Sequence, residues 1–203
     1  MRAARALTSS LLALSLCVAA EAALAQDLDE EPGTELIARP QSRSYFSLAF
    51  AGGMLVPEGD ISDYYDPGLT AQLSLGFTTG IGLGVQATVA YSPLRGRPDA
   101  AASRESHLGC AILAPRYVLG DGTVRLWVAA GGGAVAMRER IEGDGLTPET
   151  KTEVEPVGAA AAGLELYAFK SGGIGVSGRY AHGFGQLAVR LYSVTGGLVL
   201  TFR

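Results

Sequence analysis

The chain has 203 residues, a formal charge of −4, and only two lysines, Lys151 and Lys170. Without a basic stripe, nucleic acid is excluded as a partner. Once the first 25 residues are set aside Cys110 stands alone, so no intramolecular disulfide can staple the fold and stability must come from packing or from a membrane.

The N-terminus reads as a removable segment. Arg2 and Arg5 make a short basic region, Leu7 to Ala20 is nearly unbroken apolar sequence, and Ala23-Leu24-Ala25 has the small residues of a cleavage site. The apolar run is too short to span a bilayer, which takes about 20 residues, so residues 1–25 are expected to be a signal peptide and the mature chain to begin near Gln26. Cys17 lies inside the apolar stretch behind Leu16, which argues against lipidation. Residues 26–43 are acidic (Asp27, Asp29, Glu30, Glu31, Glu35) and lack apolar periodicity, the composition of a flexible tail.

After Ser44 apolar residues recur at every second position. Eight such runs follow, at about 44–56, 69–78, 81–92, 106–119, 123–138, 154–169, 173–182 and 190–202, and none has helical periodicity. Short connections at Thr79-Gly80, Gly120-Asp121-Gly122 and Ser171-Gly172-Gly173 alternate with long ones at about 57–68, 93–105, 139–153 and 183–189. Alternating tight turns and longer loops, with an even strand count, is the pattern of a transmembrane β-barrel with both termini in the periplasm.

The two faces of each run decide the solvent. Phe46, Leu48, Phe50, Met54 and Val56 share one face of the first run, and Tyr45, Ser47, Ala49, Ala51 and Gly53 the other. The same division opposes Leu69, Leu73, Leu75 and Phe77 to Thr70, Gln72, Ser74 and Gly76, and Val194, Leu198, Leu200 and Phe202 to Ser193, Thr195, Gly197 and Thr201. A soluble barrel would show water a charged exterior, whereas here the second face is small and uncharged. The bulky face therefore belongs against lipid and the small polar face inside, which also satisfies every backbone group without an edge. A soluble periplasmic ligand-binding barrel is the competing architecture, and it predicts release without detergent.

Away from the run ends four charged residues remain, Arg116, Arg125, Glu165 and Arg179, and parity points all of them away from lipid. An arginine facing mid-bilayer lipid costs about 2–4 kcal/mol, so inward placement is expected, with Glu165 as common partner and Gln72 and Gln86 completing a polar plug. Trp127 also falls inside by parity, and a bulge near Gly131 would reverse it. Tyr45, Phe77, Tyr117, Phe169 and Phe202 at the periplasmic ends and Tyr91, Tyr180 and Tyr192 at the outer ends suit interfacial aromatic girdles.

Residues 44–203 resemble the small eight-stranded outer-membrane barrels of the OmpA transmembrane domain and OmpX type. The stretch from Ala114 through Gly120, followed by Val124 to Gly133, looks like a central hairpin of that family. The ending Leu198 to Phe202 is similar to the C-terminal signal read by the barrel-assembly machinery, with the departure that Arg203 follows the aromatic. No sequence remains for the peptidoglycan-binding domain that follows the barrel in OmpA, so a barrel alone is expected. The resemblance implies an all-β, antiparallel up-and-down transmembrane barrel of eight strands in the outer membrane of a Gram-negative bacterium. Its expected partners are outer-membrane lipid and lipopolysaccharide, the assembly machinery during biogenesis, and any extracellular ligand at the loops.

Some eight-stranded outer-membrane proteins modify lipid A, which draws attention to His107 and His182 near the outer strand ends. Neither sits in a His-x-Ser arrangement, so two interfacial histidines are expected in place of a catalytic pair. Glu58, Asp60, Asp63 and Asp66 offer oxygen ligands but lack a calcium-loop pattern, and a solvated acidic loop is expected. Gly80-Ile81-Gly82-Leu83-Gly84 leads into a strand, so it has no helix dipole for a dinucleotide phosphate. No cofactor and no metal are expected. The function that follows is non-enzymatic: a side-chain-filled barrel with a structural or surface-interaction role. A narrow pore or a lateral path for a small hydrophobic solute is the alternative, and lipid A modification stands behind both.

Overall fold

Among the described residues of the computed structural model (44–97, 103–120, 122–142, 149–169, 171–185 and 189–202) there are eight strands; the expected signal peptide and acidic tail lie outside these residues. The strands are β1 (Tyr45–Glu58), β2 (Gly68–Thr78), β3 (Leu83–Arg95), β4 (Ser103–Leu119), β5 (Val124–Glu142), β6 (Glu149–Phe169), β7 (Gly172–Gly183) and β8 (Arg190–Phe202). Each pairs antiparallel with the next and β8 returns to β1, closing a barrel.

The strands are staggered. From Tyr45 the paired residues run through Thr78, Gly84, Arg116, Ala129, Ala161, Arg179 and Ser193 and arrive at Leu55, further along the starting strand. A stagger of this size on eight strands tilts them by about 40° and leaves an interior that side chains can fill.

The alternation read from the sequence survives folding. Phe46, Phe50, Met54, Leu69, Leu75, Val89, Leu113, Val194 and Leu198 are exposed on the outside, while Ser47, Thr70, Ser74, Thr88, Thr195 and Thr201 are buried inside. An outward belt of large apolar side chains is stable only against lipid. The turns at the inner end are tight because Gly82 and Gly120 take positive φ (83° and 85°) and the Thr79 amide bonds the Leu83 carbonyl at 2.7 Å.

Three expectations need correction. The connection expected over 139–153 is mostly strand: β5 runs to Glu142 and β6 starts at Glu149, paired from Ile141 with Glu149 downward. Alternating charge, as in Glu139, Arg140, Lys151 and Glu153, hid strand that stands in water above the belt. There Glu153 hydrogen-bonds Lys151 and raises its pKa. The connection expected over 57–68 contains a 3-10 turn, Gly59–Asp63, closed by the Ser62 hydroxyl on the Gly59 carbonyl at 2.6 Å. The lumen is also not small and polar throughout. Its outer half holds an apolar cluster of Leu55, Leu94, Leu108, Ile112, Val135, Met137, Val157 and Leu191, capped by Ile61 and Tyr65, with Ser92, Ser106 and Glu155 buried among these strands as well.

Candidate functional site: the lumen

In the inner half of the barrel, parity sends Tyr45 and Ser47 of β1, Gln72 and Ser74 of β2, Gln86 and Thr88 of β3, Arg116 of β4, Arg125 and Trp127 of β5, and Glu165 and Tyr167 of β6 into one chamber. Arg116 and Glu165 form a buried ion pair, with each side chain 4–5% exposed. Arg116 also lies over the Trp127 ring, 4.7 Å from its centroid, and its Nη1 reaches the Ser47 hydroxyl at 3.5 Å. The Tyr167 hydroxyl donates to the second Glu165 oxygen at 2.9 Å.

Glu165 is therefore not the common partner of the arginines. Arg125 stands directly across the ladder from it, yet its guanidinium lies between two rings, 4.2 Å from Tyr167 and 5.0 Å from Tyr45. A cation held between aromatic faces keeps favourable electrostatics without a carboxylate. Arg179 sits higher, paired in register with Ser193 and Ala161, and joins neither group. Gln72 donates to Ser74 at 3.1 Å, Gln86 to Thr88 at 3.2 Å, and the Ser74 and Thr88 hydroxyls meet at 3.0 Å. The Ser74–Thr88 pair thus ties β2 to β3, and each glutamine supports it from its own strand, leaving the arginines aside.

Tyr45 is the one expected girdle residue that the structure moves. It is 3% exposed and faces the lumen, because it shares the parity of Ser47; Phe46 takes the outward place and packs on Phe77 with ring centroids 5.0 Å apart. Phe77, Tyr91, Tyr117, Tyr180, Tyr192 and Phe202 all face outward. Phe169 does so by a register shift between Tyr167 and Phe169, and it is 76% exposed. Trp127 lies inside, since β5 keeps one register with β6 from Val124 to Ile141 and no bulge reverses it.

Sequence reading missed Tyr167 and Ser47 as parts of the network and Glu155 as a second buried carboxylate, in the outer half. Tyr167 carried a signal, since it is the next inward position after Glu165. Among the described residues no group of three or more His, Cys, Asp or Glu could hold a metal ion. In the expected acidic loop, Asp66 is paired with Arg97 at 3.3 Å.

The free space left in the inner chamber is about 40 Å3, room for roughly three waters. No known family model and no curated protein sequence matches the chain. Solved structures do. A major outer membrane protein from Thermus thermophilus superposes with a TM-score of 0.60 at 12% identity, over 78% of this chain and 99% of that one. Ail, the attachment invasion locus protein of Yersinia pestis, gives 0.54 at 15% identity over 78% and 97%. Neisserial surface protein A gives 0.54 at 13% over 78% and 97%.

The fold is that of the small eight-stranded outer-membrane barrels. In this barrel the Arg116–Glu165–Trp127 layer fills the inner half and the apolar cluster lies above it. The β4–β5 ladder skips Ala114 and Pro115, since proline has no N–H to give, but the register is the same on either side (Leu113 with Gly132, Arg116 with Ala129) and the wall stays closed.

Proposed function

We propose that the protein is a non-enzymatic integral outer-membrane barrel with a sealed lumen, whose work is done at its outer rim. The observation that carries this is the double closure of the interior. A conducting barrel needs a continuous open polar path, and here the inner chamber is filled by the Arg116–Glu165–Trp127 layer down to about 40 Å3 of free space, while the outer half is packed with buried Leu55, Leu108, Val135 and Leu191 around its few buried polar groups. The outer rim is where the chain invests extra length. A spanning strand takes about 9–11 residues, whereas β4, β5 and β6 have 17, 19 and 21 and carry a charged sheet beyond the apolar belt. The histidines fit a non-catalytic reading: His107 Nδ1 bonds the Tyr91 hydroxyl at 2.6 Å, and His182 lies against the rings of Tyr180 and Phe184.

The test is conductance of the purified, folded barrel in planar bilayers, with folding verified by a gel-mobility shift on boiling. A silent wild type, and silence after Glu165→Gln, is the expected result because the outer apolar core remains. Stable conductance steps from the wild type would overturn the reading in favour of a pore.

A further inference from the structure

Of the three lumen arginines, Arg116 has a carboxylate and Arg125 has two aromatic rings, but Arg179 has neither. It faces inward at mid-barrel, opposite Ala161 on one side and Ser193 on the other, and makes no hydrogen bond or ion pair among the described residues. The two buried carboxylates lie far along β6 from its ladder partner Ala161: Glu165 is four residues away and Glu155 six the other way, about 13 and 20 Å. A guanidinium inside a membrane-spanning wall is costly unless something compensates its charge.

Arg179 borders a void of about 10 Å3, room for one water-sized particle. Gln86 and Thr88 border the same void, and its remaining lining is alanine and Ile112. Gln86 is 6% exposed, and when its nitrogen donates to Thr88 its oxygen is buried without a partner. The two ends of a glutamine amide have nearly the same shape, so the amide can be turned over in place. The polar row is then satisfied from head to tail: Gln72 donates to Ser74, the Ser74 hydroxyl to Thr88, and the Thr88 hydroxyl to the Gln86 oxygen. That leaves the Gln86 NH2 group as a free donor beside the void that Arg179 also borders.

We infer that this void holds one small inorganic anion of the chloride type, bound by the Arg179 guanidinium and the Gln86 amide. A water would accept from these donors but would have to place two protons of its own, and the alanine and isoleucine side chains around it offer no acceptor. A halide accepts only, and it supplies the charge that Arg179 lacks. A phosphate is too large for the space. Because the lumen is filled on both sides of the void, the ion enters as the barrel closes.

The test unfolds and refolds the full barrel in lipid vesicles, in sodium chloride or in sodium gluconate of equal ionic strength. Cys110 also lies near Arg179, so the assay is run at about pH 6, where an ordinary thiol is neutral. Above the Kd, each tenfold rise in chloride multiplies the folded-to-unfolded ratio tenfold and should raise the urea midpoint of the wild type by about 0.7 M. Arg179→Met removes the cation, and Gln86→Glu places a carboxylate within reach of it. Both variants should have the same midpoint in the two salts, and Gln86→Glu should be as stable in gluconate as the wild type is in chloride. Wild-type crystals grown in bromide should show one anomalous peak between Arg179 and Gln86, a result that stands even if a variant does not fold.

Equal wild-type midpoints in the two salts would overturn the site and leave water as the occupant. A chloride shift as large in Arg179→Met as in the wild type would mean a general salt effect and overturn it too, as would the absence of bromide beside Arg179.

Discussion

Replacing Glu165 with Gln removes the carboxylate paired with Arg116 and turns the Tyr167 acceptor into an amide. Breaking a buried ion pair from one side costs about 3–5 kcal/mol, because the remaining charge stays desolvated. Two contacts survive and reduce that figure. Arg116 keeps the Trp127 face at 4.7 Å, and the amide oxygen still accepts one hydrogen bond worth about 1 kcal/mol. The expected loss is therefore about 2–4 kcal/mol. With a urea slope of about 2 kcal/mol/M this moves the unfolding midpoint down by about 1–2 M. The double variant Arg116→Met/Glu165→Met leaves no unpaired charge and should unfold within about 1 kcal/mol of wild type. The assay is urea unfolding of the folded barrel in lipid vesicles, followed by the gel-mobility shift. Glu165→Gln within about 0.5 kcal/mol of wild type, or a double variant as weak as the sum of its singles, would refute the claim that these groups act as a buried pair.

Two further substitutions test the packing and the face assignment. A Cβ on Gly163 would lie 2.6–2.7 Å from three atoms of the Trp127 indole, so Gly163→Ala should destabilise by about 1–3 kcal/mol in the same assay and perturb Trp127 fluorescence, whereas unchanged stability and emission would place the indole elsewhere. Phe50→Arg, at an outward position in the middle of β1, should cost about 2–4 kcal/mol in vesicles; a cost under about 0.5 kcal/mol would mean that this face meets water.

The alternation of Phe46 and Ser47, or of Leu73 and Ser74, was legible because strand side chains have a period of two and the two faces meet different solvents. The inward placement of Arg116 and Glu165 followed from the same parity joined to the cost of charge in lipid. Which arginine meets Glu165 was not legible. Arg125 is its cross-strand partner, and the pairing with Arg116 depends on side-chain reach across a narrow lumen. The apolar outer core was missed for a different reason. On β4 the inward Leu108, Cys110 and Ile112 alternate with Gly109, Ala111 and Leu113, so both faces read as apolar and period alone cannot show that one of them is a plug. The upper parts of β5 and β6 were hidden because strand standing in water has no apolar face to declare itself.

The glycines show how one residue type serves two purposes on the two sides of this wall. Inside, large side chains stand across the ladder from glycine: Gln86 from Gly76, Arg116 from Gly84, Trp127 from Gly163, Glu165 from Gly175 and Tyr167 from Gly173. The matching makes room for these side chains in a narrow lumen, where Arg125 opposite Glu165 is a pair of large residues at one step, and it favours the observed register, because a two-residue slip would set Trp127 against Glu165 or Ala161. Outside there is no such constraint, because lipid accommodates any side chain that projects into it. Yet Gly132 faces Gly158, and Ala130 faces Ala160. On the outer wall the recess at Gly158 is covered from within the chain, by the Phe184 ring 3.1–3.2 Å from where a Cβ would stand, so the small residue there makes room for a side chain just beyond β7.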